Sequence, residues 1–407
     1  MNITNNIEKC KRYNELYTLP IKNMTHTKQK YNLSVLLLNI VCHGFGDIIF
    51  VYKLRKLLTK AFPSITFHIA TLFHDEIIKF GEHPGNVIQI HSISKDRQCR
   101  RFSRLQTECD YDLFFIAPIV SHFEVNFRDV KAMCPTSNRF NTFFFSEYNM
   151  SINKDILFNT GIGNRRLGLL FSNERVKKYY IPTPYAVSYI ADSIHNAKGC
   201  FLNFAEMIVH KYKRYNNFSI ILPSFIHLKD SEIDQFRPFY SRIIVSDQER
   251  IYAGSGRGTL YLRKDVYPVS HSLMMGLIKY SVRDILVTGD QSITDVLSCC
   301  RGKNIFYQIA PWKEGFARNL TKYLPNSYLH KKSTSCGSLK AIKYNSNYKQ
   351  FVNDNDFIKN AMCLLTGIFN MAELVKRREH DIIRYQTIVL TSRSLKKIKG
   401  YYRKLVN

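Results

Sequence analysis

Two glycine-containing turns carry the polar residues of this sequence that are best placed to do chemistry. The first turn, residues 44–47 (GFGD), follows the apolar run 34–41 (SVLLLNIV). The second turn, residues 289–292 (GDQS), follows the run 284–288 (DILVT). Each turn precedes a segment with helical periodicity, and the start of a helix attracts anions through its unpaired amides and its dipole. The two turns therefore predict sites for catalysis or for anion binding.

Asp47 stands where the first turn meets its helix, and two roles for it stay open. As an N-cap, its carboxylate accepts hydrogen bonds from first-turn amides. As a general base, it would lie at the carboxyl end of a central strand, where open α/β sheets bind ligands. Gly44 and Gly46 allow a sharp turn and a close approach of a ligand. His43 either assists an acceptor or is a hydrogen-bonded structural histidine.

The second turn predicts a cradle for a diphosphate, because it offers several amides next to a residue without a side chain. The residues assigned to this cradle are Gly289, Asp290, Gln291, Ser292 and Ile293. The hydroxyl groups of Ser292 and Thr294 are expected to add donors. In the alternative interpretation, Asp290 or Ser292 only caps the helix.

Side chains elsewhere are candidates for assisting the second turn. Three cations can stabilise a leaving diphosphate or can be solvated surface charges: Lys313, Arg257 and Arg318. Tyr307 or Trp312 either stacks on a nucleobase or packs against the protein itself. The glycine-rich loop 254–258 is predicted to move over a bound donor.

Strand and helix patterns alternate along two stretches of the chain, which is typical of a doubly wound α/β sheet. In the first stretch the predicted strands are 34–41, 65–72, 86–91, 112–120, 140–145 and 166–171, and the helices are 48–61 and 74–80. In the second stretch the predicted strands are 185–190, 218–222, 243–245, 284–288 and 304–309, and the helices are 200–212, 272–280, 292–300 and 314–323. We therefore expect two Rossmann-like domains followed by a mostly helical segment from residue 351.

The two turns and the order of the elements resemble the GT-B glycosyltransferases. The nearest likeness is to the bacterial heptosyltransferases and the protein-arginine rhamnosyltransferases. It rests on Asp47 in the first turn and on the G-D-x-S start of the later helix, and residues 306–309 (FYQI) and 311–313 (PWK) resemble the strand and loop after that helix. Residues 95–165 and those beyond 330 match no part of these families.

The resemblance implies a fold, an activity and roles for residues. Two Rossmann-like domains would face a cleft, with segments 1–31 (lead-in), 32–183 (acceptor domain), 184–330 (donor domain) and 331–407 (loop and basic helical tail). Asp47 would deprotonate the acceptor, and the turn that begins at Gly289 would hold the diphosphate of a nucleotide-sugar. Such enzymes are metal-independent, and the nucleotide-sugar is a co-substrate, so no cofactor is expected.

The positive charge supports a second hypothesis. The formal net charge is +27 over 407 residues, and residues 376–404 hold ten Lys or Arg against two acidic residues. The chain could therefore be a non-catalytic GT-B-like module that binds nucleic acid or an anionic membrane through this tail. Alternatively, the charge reflects the composition of an AT-rich genome, and the tail packs by its apolar side. A third hypothesis is a nucleotide-sugar epimerase of the same fold.

Cysteine usage and hydropathy predict a cytoplasmic protein. The ten cysteines include no C-x-x-C pair, which argues against a zinc ribbon, and reduced, mostly buried thiols are expected. The first 30 residues lack the apolar core of a secretory signal. No run reaches the roughly 18 uninterrupted apolar residues of a typical membrane-spanning helix.

Overall fold

The computed structural model describes residues 31–40, 45–91, 104–105, 110–119, 127–151, 156–171, 176–194, 196–246, 250–324, 327–329, 339–342 and 347–379. The chain divides into two compact units. Unit 1 comprises Met1–Leu170 and Asp354–Asn407, and unit 2 comprises Phe171–Asn353. The boundary between the units falls after Leu170, before the predicted boundary at residues 182–184. The acceptor and donor roles assigned to the two domains remain predictions.

Unit 1 is built on a five-stranded sheet in the order β3-β2-β1-β4-β5, with all four pairings parallel. Its elements are β1 Ser34–Asn39, α1 Phe45–Ala61, β2 Thr66–Thr71, α2 His74–Lys79, β3 Val87–Gln89, β4 Leu113–Ile119, α3 Phe127–Met133 and β5 Thr142–Ser146. The apolar run of β1 forms the central strand because both of its faces are buried. The chain moves outward from β1 to β2 and β3, and then returns to the other side of β1 for β4.

Unit 2 contains a nine-stranded sheet in the order β13-β14-β12-β11-β6-β7-β10-β8-β9. Its elements are β6 Tyr185–Tyr189, α4 Ala197–Tyr212, β7 Asn217–Ile221, α5 Asp230–Ile233, β8 Arg242–Val245, β9 Arg250–Ala253, β10 Thr259–Arg263, α6 His271–Tyr280, β11 Asp284–Thr288, α7 Asp290–Cys299, β12 Asn304–Gln308, α8 Glu314–Tyr323, β13 Ser327–Leu329, β14 Leu339–Ile342 and α9 Asn347–Asp354. Strands β9, β13 and β14 pair antiparallel, and the strands from β12 to β8 are parallel. The chain moves from β6 to β7 on one side, and later returns to the other side of β6 for β11.

The predicted α/β class with two Rossmann-like units is confirmed by these strand orders. One predicted strand is wrong, because residues 166–171 make only isolated bridges, such as that between Leu169 and Asp356. Gly168 there has φ +100° and lies against the backbone of Asn355, which interrupts an extended strand. The sequence reading also missed β9 and β10, and the predicted arrangement of the two units around a cleft stays a prediction.

The helix α10, Phe357–Glu379, packs against unit 1. The ring of Phe369 lies 4.7 Å from that of Phe62 and 6.1 Å from that of Phe115, measured between centroids. Glu373 accepts a hydrogen bond from the amide of Asn32 at 3.0 Å. These contacts make α10 part of the core of unit 1, although the window Phe357–Arg377 is by length and composition apolar enough to cross a membrane. Most of the basic tail lies outside the described residues.

The expectation of reduced thiols throughout is wrong for Cys363, which is disulfide-bonded. Free thiols are found at Cys134, Cys200, Cys299 and Cys300. Burial raises the pKa of Cys134 and of Cys300 to about 12. A disulfide requires two Cβ atoms about 3.8 Å apart, which the spacing of cysteines along a sequence does not reveal. The cytoplasmic location stays a prediction.

Replacing Phe369 by alanine is expected to lower the free energy of unfolding by about 3–5 kcal/mol, because the change leaves a cavity among buried aromatic rings. Urea unfolding followed by circular dichroism measures the effect. Leu374 on the same helix is 53% exposed and serves as the control. Leu374→Ala is expected to change the free energy by about 0.5 kcal/mol or less. Equal losses in the two variants would show that α10 is not held by this cluster.

Candidate functional site

The turn that leads from β1 to α1 is held by Asn39, a buried residue at the carboxyl end of β1. Its Nδ2 donates to the carbonyl of Ala117 in β4 at 3.2 Å and to the carbonyl of Asp47 at 3.4 Å. Its Oδ1 accepts from the hydroxyl of Thr71, the last residue of β2, at 3.0 Å. One amide therefore links the ends of three strands to the start of a helix. Sequence reasoning missed this residue, although it is the only amide side chain in the apolar run.

Asp47 lies in the first turn of α1 and is half-buried. Because the chain leaves β1 toward β2 and later returns to place β4 on its other side, the carboxyl end of β1 is a topological switch point. Open α/β sheets bind their ligands at such points. Gly46 is exposed beside Asp47, whereas the predicted site residues His43 and Gly44 lie outside the described residues.

In unit 2, Gly289 joins β11 to α7 with φ +75° and ψ 144°. L-residues with a side chain rarely adopt this backbone conformation. A Cβ added at Gly289 would meet no atom within 4 Å, so the turn is open on the side where a side chain would point. The glycine is required by the backbone conformation, and the open space lets another molecule approach the start of α7.

Asp290 and Lys313 form a buried ion pair beside this turn. The Nζ of Lys313 lies 2.7 Å from the Oδ2 of Asp290, and the two side chains are 10% and 9% exposed. The charge of Lys313 is therefore largely matched by Asp290. The burial of Lys313 contradicts the alternative that it is a solvated surface charge, and the ion pair leaves less of its charge available to a diphosphate.

The residues that follow Asp290 differ in burial and in the groups to which they donate. Ser292 is half-buried in the first turn of α7, whose amides have no acceptor within the helix. Ile293 is buried, and its amide donates to the carbonyl of Gly289 at 3.2 Å. Thr294 is buried, and its hydroxyl donates to the carbonyl of Asp290 at 2.8 Å. The expectation that Ile293 and Thr294 contribute donors to a ligand is therefore wrong, since both donors are used within the helix.

Gln291 and Tyr307 are both buried. The ring of Tyr307 packs edge-on against Phe316 at 6.2 Å, so its position in the core corrects the expectation that it stacks on a nucleobase. Trp312 is 62% exposed, and Arg318 is exposed on α8.

The loop 254–258 and Arg257 lie at the wrong edge of the sheet to assist a donor at Gly289. The loop precedes β10, whereas Gly289 follows β11, and the two strands run in the same direction. A Cβ at Gly258 would come within 1.6 Å of the carbonyl oxygen of Asn216, which shows that the loop is tightly packed. The expectation of a mobile loop over the donor is therefore wrong, and the glycines are explained by close packing.

A second amide side chain organises the carboxyl edge of unit 2. Gln308 ends β12, and its side chain exchanges hydrogen bonds with the backbone of Ala191, in the loop after β6, at 3.0 and 3.4 Å. The hydroxyl of Thr288 donates to the carbonyl of Gln308 at 3.2 Å. Since β11 lies between β12 and β6, these bonds cross the switch point of unit 2. The start of α7 thus lies at this switch point, as Asp47 lies at that of unit 1.

A cavity of about 520 Å³ opens at the same edge of unit 2, between the loops that follow β6 and β7. Its lining residues are Asp192, Ser193, Ile194, Asn196, Ala197, Lys198, Phe225 and Ile226. Asn196 has φ 58° and caps α4 by accepting from the amide of Gly199 at 3.1 Å. The mixture of carboxylate, amide, cationic and aromatic groups suits a polar ligand with an apolar face. Sequence reasoning gave no signal for this cavity.

His271 and Asp295 form another contact that the sequence did not suggest. The Nε2 of His271, at the start of α6, lies 2.9 Å from the Oδ2 of the buried Asp295 on α7. This bond joins two helices that flank β11 in sequence and helps fix the orientation of α7, whose first turn presents the candidate anion site.

No protein-family model matches the chain, and no curated protein matches it. A protein described as a candidate UDP-N-acetylglucosamine 2-epimerase from Listeria monocytogenes aligns with a TM-score of 0.40 at 10% identity, over 72% of this chain and 86% of its own. The E. coli heptosyltransferase WaaC, solved with ADP-2-deoxy-2-fluoro heptose, aligns with a TM-score of 0.31 at 10% identity, over 63% of this chain and 82% of its own. A glycosyl transferase of family 9 from Veillonella parvula aligns with a TM-score of 0.35 at 9% identity, over 84% of this chain and all (100%) of its own. Likeness at these TM-scores assigns neither fold nor function, so the fold assignment rests on the strand orders.

Breaking the buried pair on one side is expected to destabilise the protein strongly. Asp290→Asn or Lys313→Met alone is expected to lower the free energy of unfolding by about 3–5 kcal/mol, because each leaves the other charge buried without its partner. The double variant is expected to lose less than the sum of the single losses, with an interaction energy of about 1–3 kcal/mol.

The control for this cycle is the pair of Arg237 and Asp234, whose side chains are 40% and 58% exposed. Solvent screens that pair, and its interaction energy is expected to be about 1 kcal/mol or less. Denaturant unfolding of both sets of variants measures the difference. Additive losses at Asp290 and Lys313 would contradict a coupled pair.

Proposed function

We propose that the chain is a metal-independent glycosyltransferase that moves a sugar from a nucleotide-diphosphate donor to an acceptor. One observation carries this proposal: each of the two motifs singled out in the sequence lies at the switch point of a separate parallel sheet. Asp47 lies there in unit 1, and the turn that begins at Gly289 lies there in unit 2. Switch points are where open α/β sheets bind ligands, so a two-substrate reaction is the simplest use of two such sites.

Unit 2 supports the donor role. The first-turn amides of α7 and its dipole favour a diphosphate, and the open side of Gly289 allows its oxygens to approach the backbone. The hydroxyl of Ser292 can add one donor. Because Asp290 is paired with Lys313, the favourable charge comes from the helix start rather than from that lysine. Such fixed dipoles stabilise the negative charge that builds on a departing diphosphate.

Asp47 supports the acceptor role. In the proposed reaction, a nucleophilic group of the acceptor attacks the anomeric carbon of the sugar, and the bond from that carbon to the diphosphate oxygen breaks. The carboxylate of Asp47 takes the proton that the nucleophile loses, and the nucleoside diphosphate leaves with the bonding electrons. Asn39 bonds to the backbone carbonyl of Asp47 and to that of Ala117 in β4, which links the start of α1 to the strand ends.

An epimerase acting on the nucleotide-sugar alone is the second candidate, since the same helix start would bind the same diphosphate. Incubation with the donor alone distinguishes the two, because an epimerase converts the sugar without an acceptor. A binding module without activity would leave the donor unchanged, whether or not an acceptor is present.

The donor site is tested by thermal shift with ADP-, UDP-, GDP- and dTDP-sugars. We expect one nucleotide family to raise the melting temperature. We expect Ser292→Ala to weaken donor binding by roughly 3- to 10-fold, the size of one lost hydrogen bond. Unchanged donor affinity in a folded Ser292→Ala variant would argue against the cradle.

The base is tested by Asp47→Asn. This variant should bind the donor normally and should lose transfer by roughly 100-fold or more, because proton removal from the acceptor is lost. Asp75→Asn is the matched control, since Asp75 is an exposed first-turn aspartate of α2 in the same unit, where the helix follows β2 rather than the central strand β1. Transfer at the wild-type rate by the Asp47 variant would remove the proposed base.

A further inference from the structure

The amino-terminal edge of the unit 2 sheet carries a row of exposed cations, which we call the basic edge. It lies opposite the carboxyl edge where Gly289 opens. Its members precede or begin five of the six strands from β12 to β8, all but β6, and are all exposed: Lys213, Arg214, Arg242, Arg257, Arg283 and Arg301.

Backbone hydrogen bonds place these cations side by side. The amide of Thr259 donates to the carbonyl of Asn216 at 2.7 Å, which joins the segment with Arg214 to the segment with Arg257. The amide of Arg242 donates to the carbonyl of Gly258 at 3.1 Å, which brings the start of β8 beside them. Strands lie about 4.8 Å apart, so the six strands from β12 to β8 give the row a length of roughly 24 Å.

One acidic residue, Asp284, begins a strand at this edge. Asp284 is buried near it and is fully used, because it accepts from Lys211 at 2.6 Å, from Tyr212 at 2.5 Å and from Asn304 at 2.8 Å. Within the described part of the chain, Arg242 and Arg257 make no ion pair. Repulsion between neighbouring like charges destabilises a fold in the absence of a partner, and an anionic partner relieves that repulsion.

Helix dipoles explain only part of the basic charge at this edge. The helices α4, α6 and α7 end here, and cations in their last turns, such as Lys211 and Lys279, complement the negative ends of the dipoles. Arg242 and Arg257 lie at a strand start and in a loop, outside any last helical turn. Lys303 lies at the same edge but is buried, unlike the exposed members of the basic edge. Its Nζ donates to the carbonyl of Ser281 at 2.6 Å, and burial lowers its pKa to about 8.

The composition of the row favours phosphodiesters. Five of its six members are arginines, whose planar guanidinium groups bind phosphate oxygens through two parallel hydrogen bonds. The guanidinium of Arg214 lies over the ring of Tyr215, 5.3 Å from its centroid, and that ring in turn stacks on Phe218, so Arg214 stands on a packed aromatic base at this edge. The row is a line rather than a broad face, which suits a linear polyanion better than a membrane.

We propose that the basic edge binds the phosphate backbone of a nucleic-acid strand. This binding uses the edge opposite the candidate donor site and is independent of the proposed transferase activity. Its affinity is expected to depend on salt, because each neutralised phosphate releases counterions.

The test uses the full chain and a fluorescently labelled 20-nucleotide oligothymidylate, with binding measured by anisotropy over a series of NaCl concentrations. We expect the R214Q/R242Q/R257Q variant to bind at least 10-fold more weakly than the wild type at about 0.1 M salt. Three lost phosphate contacts should reduce the slope of log affinity against log salt by about 2. The three side chains are exposed, and unchanged melting temperature and circular dichroism check the fold.

The matched control removes the same charge from exposed positions of unit 1, in the K79Q/K131Q/R139Q variant. It is expected to change the affinity less than 3-fold. Equal weakening in both variants would overturn the proposal by showing that binding follows net charge alone. Absence of oligonucleotide binding by the wild type would also overturn it, as would binding by the basic edge to phosphatidylserine vesicles but not to the oligonucleotide.

If the triple variant does not fold, R242Q and R257Q are tested singly. Each is expected to weaken binding by roughly 2- to 5-fold and to reduce the salt slope by about 0.7. Wild-type affinity in both single variants would overturn the proposal.

Discussion

The reversal of strand order in the middle of each parallel sheet is the constraint on which the rest of the structure depends. At β1 and β4, and again at β6 and β11, the connections leave in opposite directions, an order that in open α/β sheets produces a crevice at the carboxyl ends of the two central strands. This crevice adjoins the start of the helix that follows the central strand. In both units the sequence fills this place with polar residues of a glycine turn, Asp47 in one and the residues after Gly289 in the other. The fold therefore determines where chemistry can occur, and the turn determines which chemistry.

Polar groups at such a crevice must be satisfied, because an unpaired buried amide or carboxylate is costly. Each unit solves this with one buried amide side chain that bridges strand ends. Asn39 bonds to groups of β2, β4 and α1, and Gln308 bonds to the loop after β6. In unit 2 the pair of Asp290 and Lys313 adds a fixed charge network. These bonds hold the ends of the strands in register, so the open turns keep a defined geometry without a ligand.

Features that depend on a single apolar segment could be predicted from the sequence, whereas features that depend on two distant segments could not. The runs of β1 and β11 and the glycine turns after them were predicted, because a buried parallel strand is continuously apolar. The strands β9 (RIYA) and β10 (TLYLR) are four and five residues long and flank a glycine loop, so neither was predicted. The pairing of Lys313 with Asp290 joins residues on different elements, which no periodicity reveals. The edge at which Arg257 lies depends on β10 and on its parallel pairing with β7, and that strand was not predicted.

The two edges of the unit 2 sheet differ in the groups that attract anions, and this difference separates the two proposed functions. At the carboxyl edge the attraction for anions comes from helix starts and backbone amides, which are fixed in position and suit a small diphosphate that must be oriented. At the amino edge the helices end, their dipoles are unfavourable to anions, and only side-chain cations can attract them. Long arginine side chains tolerate variation in the position of a phosphate, which suits an extended polymer with many equivalent groups. A ligand selected by fixed amides and one selected by a row of arginines can therefore bind the same sheet without competing.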